Sequence, residues 1–344
     1  MTLRAQFFAS SIAACGFVCA ATLPQTAAAS DSNYHVLNRQ VLSGPVRWDY
    51  LAVDSVRHRV FLTRGDHVDV YDVASKSVVG AINNTTGVHG VAIAPDLNRG
   101  YTSNGGTDTV TVFDLATLAP LATIGVGGKP DSIVYDPASK RVFAANGKDR
   151  SLSVIDTASN RVIKVIALAG GPETAVVNGK GQLFVALEDR NSIAVIDTRE
   201  MKVLRQFDIS ASCDEPAGLA IDAATDRLYA GCHNARMVVV DGRSGQVLAA
   251  PAIGKGNDAT AYDPSQQRAF ASNGDGTLTV IDGAAPFAVL QNVPTMVRGR
   301  TMALDPSSHQ LFIVSAVVDE TQPAVKGRAA LKPDSFTLLT IAPE

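Results

Sequence analysis

The chain carries a single tryptophan, four cysteines and six histidines, and aromatic residues make up only 6% of it. Nor does it contain a Gly-x-Ser-x-Gly elbow, a His-Glu-x-x-His pair, a phosphate-cradling Gly-Lys-Ser/Thr loop or a Cys-x-x-Cys-His haem attachment. These absences disfavour hydrolases, metalloproteases, nucleotide-binding enzymes and cytochromes whose chemistry is announced by a linear motif. Apolar residues at 3.6 spacing are missing too, which argues against a helical repeat. Beyond the first thirty residues no apolar run is long enough to span a bilayer. A formal charge of −3 disfavours a protein built around a polyanion.

Residues 1–29 read as an export signal. Arg4 is followed by a long apolar stretch and then by Ala27-Ala28-Ala29, which predicts cleavage after Ala29 and a periplasmic or secreted protein. Two alternatives stand beside this: an N-terminal membrane anchor, and lipidation at the lipobox-like Ile12-Ala13-Ala14-Cys15. Export would leave only Cys213 and Cys232. They flank what reads as an antiparallel hairpin, so they are either disulfide partners or a pair of buried thiols.

What the chain has in abundance is repetition. Residues 129–168 contain four short β-branched or aromatic runs separated by Asp-Pro, Asn-Gly and Thr-Ala-Ser-Asn turns, the pattern of a four-stranded antiparallel meander. Phe61, Tyr101, Phe143, Phe184, Tyr229, Phe270 and Phe312 mark the second strand of successive units at spacings of 40 to 45. Asp72, Asp114, Asp156, Asp197, Asp241 and Asp282 close the third strand at nearly the same period. About 42 residues and four strands per unit predict an all-β, seven-bladed β-propeller over residues 30–344. The last unit lacks a fourth strand, and the unassigned run at 34–42 is its natural donor, which closes the ring. Residues 317–334 break the repeat and read as a long surface loop without strand pattern.

Second strands reading Tyr-Thr-Ser-Asn (101–104), Phe-Ala-Ala-Asn (143–146) and Phe-Ala-Ser-Asn (270–273), with Ser-Val-Ile-Asp-Thr-Ala-Ser-Asn at 153–160, resemble the YVTN β-propeller family and its periplasmic YncE-like branch. The resemblance implies an exported seven-bladed propeller without implying one activity. Some YncE-like proteins are associated with single-stranded DNA, so nucleic acid enters as a partner by resemblance alone. Leu187, Cys232, Ser315 and Arg64 depart from the Asn position, whose Asn is expected to take a left-handed turn conformation.

In a propeller the first strands line the central channel. Five residues before the aspartate that opens the first hairpin turn (Asp54, Asp136, Asp222, Asp263 and Asp305), or its equivalent, stand Asp49, His89, Asp131, Ala217, Asp258 and Arg300, with Glu173 as the counterpart in the shortened fourth unit. Six of these seven positions are ionisable, and they are expected to converge at the channel mouth. The residues allow a water-filled polar lining, a site for a small molecule, peptide or protein, or a divalent cation held by His89 with Asp131 or Glu173. Trp48, beside Asp49, is either a stacking platform or inter-blade packing. His58, His67, His233 and His309 read as solvated turn residues, and Gly105-Gly106 and Gly127-Gly128 as turn glycines with positive φ. These residues predict a monomeric, non-catalytic binding module without cofactor. The alternative is a lactonase-type hydrolase with His89 as general base and Arg300 steadying an oxyanion.

Overall fold

Each repeat folds because its turns are fixed by aspartate. In the third unit Asp136 accepts the N–H groups of Ala138 and Ser139, and Asp156 accepts that of Ser159. Carboxylates that bond the backbone two or three residues ahead are what make Asp-Pro-Ala-Ser and Asp-Thr-Ala-Ser reverse the chain. Between them run Pro130–Asp136, Arg141–Asn146, Ser151–Asp156 and Arg161–Ala167, paired in that order. The two middle strands are buried almost throughout, and the outermost exposes most of its residues.

The computed structural model describes Met1, Thr2, Gln6 and residues 33–323 and 330–344. The export signal, its cleavage point and Cys15 lie outside the described residues. From Asn33 to Glu344 the chain is one unit of seven four-stranded antiparallel sheets, with two single-turn 3₁₀ segments among the described residues. The first strand of every sheet packs against the first strands of both neighbours, the seventh against the first, so the ring is closed.

The closing strand is Tyr34–Val41, at the outer edge of the last blade beside Thr337–Pro343. The register runs from Tyr34 opposite Pro343 to Val41 opposite Thr337. In all seven blades the outermost pairing contains a bulge, such as that between Val154 and Ile155, which adds the twist a sheet needs as it fans outward from an axis.

The seven aromatic markers are all at most 1% exposed. They fill the seams between blades, as where the Phe61 and Phe113 rings lie 5.7 Å apart. Burying each ring contributes roughly 1.5–3 kcal/mol. A second seam contact has no periodic hydrophobic signal. The arginine opening the second strand of four blades, Arg59, Arg99, Arg141 and Arg227, donates to a backbone carbonyl in the next blade, at Leu115, Thr157, Thr198 and Gly283.

Three expectations change on contact with the structure. Asn104, Asn146 and Asn273 are not left-handed turn residues. They are buried, and their amides donate to paired hydroxyls on the third strand: Thr109 and Thr111, Ser151 and Ser153, Thr277 and Thr279. An amide carries two donors, which suits it to clip two strands where their ladder ends. Gly105, Gly106, Gly127 and Gly128 do not take positive φ either; a Cβ on any of them would lie within 3 Å of a neighbouring atom, so close approach requires them. Finally, the long loop is paired at its base. Val318 bridges Leu331 and the Lys332 N–H donates to the Val317 carbonyl, since Val317, Val318 and Leu331 can extend the adjoining strands.

Candidate functional site

Every ionisable rim position named from the sequence lines one cavity of about 730 Å³ at the channel mouth: Asp49, His89, Asp131, Glu173, Asp258 and Arg300, with Trp48 beside them. Backbone contacts between blades hold them there. The Tyr50 N–H donates to the His89 carbonyl at 3.0 Å, and the Ala259 N–H to that of Arg300 at 3.1 Å. Ser103 and Ser272, each from the preceding blade's second strand, donate to the carbonyls of Asp131 and Arg300. The Asp49 N–H donates to Thr63 Oγ1 at 2.9 Å.

On one side of the mouth His89 Nδ1 lies 2.6 Å from Asp49 Oδ2 and 3.6 Å from Asp131 Oδ1. Burial acts to depress the imidazole, but the Asp49 hydrogen bond and the charges of Asp131 and Asp49 outweigh it, holding its pKa above the ordinary value. Burial pushes Asp131 up to about 6 against the pull of His89. Facing them, Arg300 Nε pairs with Asp258 Oδ2 at 3.0 Å, yet burial still carries Asp258 up to about 6. Glu173 is displaced furthest, to about 8, by burial and then by Asp131, Glu188 and Asp258. Buried carboxyls crowded this closely share protons readily and attract positive charge.

Trp48 serves as packing: its ring lies 5.7 Å from that of Phe336 in the last blade, with the Arg298 guanidinium carbon 5.8 Å from its centre. The histidines assigned to solvated turns divide. His309 Nδ1 is 2.7 Å from Asp263 of the neighbouring blade, and His67 Nδ1 is 2.6 Å from Asp66. His233 belongs to the mouth itself, with Nδ1 2.7 Å from Glu215 Oε2.

The residues missed were His233 and Glu188. A signal for them exists. The residue after the asparagine position is Gly65, Gly105, Gly147 and Gly274 in four blades, but Glu188 in the fourth and His233 in the fifth. Where the fifth blade offers only Ala217 from its first strand, His233 reaches in from this second position. A disulfide joins Cys213 to Cys232, Cα atoms 5.4 Å apart, and so ties together the segments bearing Glu215 and His233.

Comparison with known proteins agrees with this architecture. Residues 27–178 match the family model described as YncE-like β-propeller. No curated protein matches the sequence. Among solved structures, the one titled "Crystal structure of RRP9 WD40 repeats" superposes with a TM-score of 0.75 at 11% identity, covering 90% of this chain and 100% of that one. "Structure of U3-55K" gives 0.74 at 12% identity, over 89% and 99%. "Kuenenia stuttgartiensis Hydrazine Synthase" gives 0.51 at 17% identity, over 71% and 96%. At such identities the likeness is one of fold.

Proposed function

Since the chain is a β-propeller of the YncE-like family, we propose that it is an exported binding module whose ligand sits in the mouth of the ring. One observation carries this: six blades each contribute an ionisable side chain from one repeat position to a single cavity, and three of the carboxyls there, Asp131, Glu173 and Asp258, are desolvated enough to hold their protons well above the ordinary carboxylate range. A solvent-filled channel needs polarity, but not buried carboxyls held beside one another. The excess of carboxylate favours a small polar ligand bearing positive charge over a phosphate backbone.

Export is supported by the apolar leader with its Ala27-Ala28-Ala29 run, and by the Cys213–Cys232 bond, since disulfides persist in oxidising compartments. The hydrolase alternative is less well served. His89 does have an orienting carboxylate in Asp49, but Arg300, the expected oxyanion donor, is engaged by Asp258.

The test is native mass spectrometry of protein taken from its own cell envelope, wild type beside the Asp131→Asn/Asp258→Asn double variant. A small molecule retained by the wild type and lost from a folded variant supports the reading. Equal retention by both removes the mouth from consideration.

A further inference from the structure

The His89 side of the mouth has features that neither a water-filled channel nor a simple ion pair explains. His89 Nδ1, one oxygen of Asp49 and one of Asp131 all lie within 4.8 Å of one another, although they come from three different blades. Their backbones are pinned by Tyr50, Thr63 and Ser103, so the donors are brought together before anything binds. Gly105 fixes the ring orientation: a Cβ there would stand 2.8 Å from His89 Cδ2 and Nε2, so that edge packs on bare backbone while Nδ1 faces the carboxylates.

Two buried oxygens at this mouth also have no hydrogen-bond partner among the described residues. One is Asp131 Oδ1, too far from His89 for a hydrogen bond at 3.6 Å. The other is Thr301 Oγ1, on a side chain 1% exposed that lines the same cavity. Buried polar atoms are ordinarily satisfied, so two of them together at one cavity call for a partner such as an ion or water.

We propose that Asp49, His89 and Asp131 form a binding site for a first-row divalent cation of the Zn²⁺ or Mn²⁺ class. One imidazole nitrogen with two carboxylate oxygens is the donor set such ions take, whereas Ca²⁺ and Mg²⁺ prefer all-oxygen sites. Bonds of about 2.0–2.2 Å place neighbouring donors roughly 3 Å apart. The 2.6 Å pair therefore opens slightly and the 3.6 Å pair closes slightly, on an ion that also satisfies Asp131 Oδ1. Remaining coordination positions face the cavity, where a ligand's donor atoms or water complete them. The inference deepens the binding reading above and rests on it, naming the charge the mouth receives.

The experiment is calorimetric titration of EDTA-treated, dialysed full-length mature protein with ZnCl₂ and separately with MnCl₂. Wild type should take up one equivalent at this site. His89→Gln and Asp131→Asn should each weaken affinity at least tenfold, while His309→Gln, at a turn residue paired with Asp263 outside this cavity, should leave it within twofold. Electron paramagnetic resonance of the Mn²⁺ form should show imidazole nitrogen coupling that disappears in folded His89→Gln. Absence of binding by wild type, or undiminished binding in His89→Gln, overturns the cation site. An organic molecule that stays bound after EDTA treatment, on protein that takes up no metal, would sink this inference and leave the binding mouth standing. Metal uptake by protein that carries no molecule lost in the Asp131→Asn/Asp258→Asn variant would support the cation site and count against a larger ligand.

Discussion

Tyr50 of the first blade donates its phenolic hydrogen to Glu173 Oε1 of the fourth, 3.1 Å away, so one side-chain contact spans the ring. It joins a phenol whose pKa is raised well above the ordinary value, by burial and then by the surrounding carboxylates, to a carboxyl pushed up to about 8. The hydrogen bond itself favours the ionised carboxylate and works against the other influences on Glu173.

Between about pH 5 and 8 stability should therefore fall as pH rises. Glu173 moves from 4.5 to about 8 on folding, and Asp131 and Asp258 from 3.8 to about 6. Across that interval the folded protein holds more protons than the unfolded chain, so their contribution is complete below about pH 4 and lost by about pH 8. Each such group contributes at most about 1.4 kcal/mol per pH unit to the slope. Urea unfolding at pH 5, 6.5 and 8 should show the decline, and Glu173→Gln should flatten its upper part. A wild-type profile that rises from pH 5 to 8 contradicts the assignment.

Arg64, which replaces the asparagine of other blades, should matter more to stability than any rim residue. Its guanidinium is buried, donates to the carbonyls of Ser43 and Pro45, pairs with Asp69 at 2.7 Å and lies 3.9 Å from the Phe336 ring centre. It thus fastens the first blade, the segment leading into it and the last blade. Arg64→Ala strands Asp69 and two carbonyls, and should cost about 3–5 kcal/mol in denaturant unfolding. A loss below 1 kcal/mol would show that the clasp is dispensable.

Removing the disulfide with Cys213→Ser/Cys232→Ser should lower stability by about 3 kcal/mol, as expected for a cross-link spanning 19 residues. Both cysteines are fully buried. Mild reductant at 25 °C should therefore leave the bond intact in the folded protein, as read by thiol labelling; rapid labelling under those conditions would show that the bond is accessible.

Gly105→Ala tests how the imidazole is held. The new methyl would meet the His89 ring at 2.8 Å and the Pro130 carbonyl at 3.1 Å. Overpacking of this kind costs about 1–3 kcal/mol. The NMR titration of His89 should also move toward that of an unpaired histidine, because the displaced ring loses Asp49. An unchanged titration would mean that the ring tolerates the methyl in place.

The blades were legible because a ring of equal sheets buries the same position once per turn of the sequence, and Phe61 through Phe312 record it. The rim was legible for a related reason: Asp49, Asp131 and Asp258 stand five residues before the turn aspartates Asp54, Asp136 and Asp263, and His89 five before Ala94, which takes the same place in its blade. Contacts that cross between repeats left no such trace. Nothing in the spacing pairs Tyr50 with Glu173, or Arg99 with the carbonyl of Thr157. The role of Asn146 was misread because a turn-forming residue at a strand end looks the same in one dimension whether its amide faces solvent or two buried hydroxyls. His233 was overlooked because it fills from a second position the space that Ala217 leaves.

Asn33 and Glu344 touch although 311 residues separate them, and the strand Tyr34–Val41 has no partner until Thr337–Pro343 exists. Synthesis must therefore deliver the chain as far as Pro343 before the circle can shut. Until then the earliest strand stays an exposed edge, and a chaperone or a second copy of the chain could capture it.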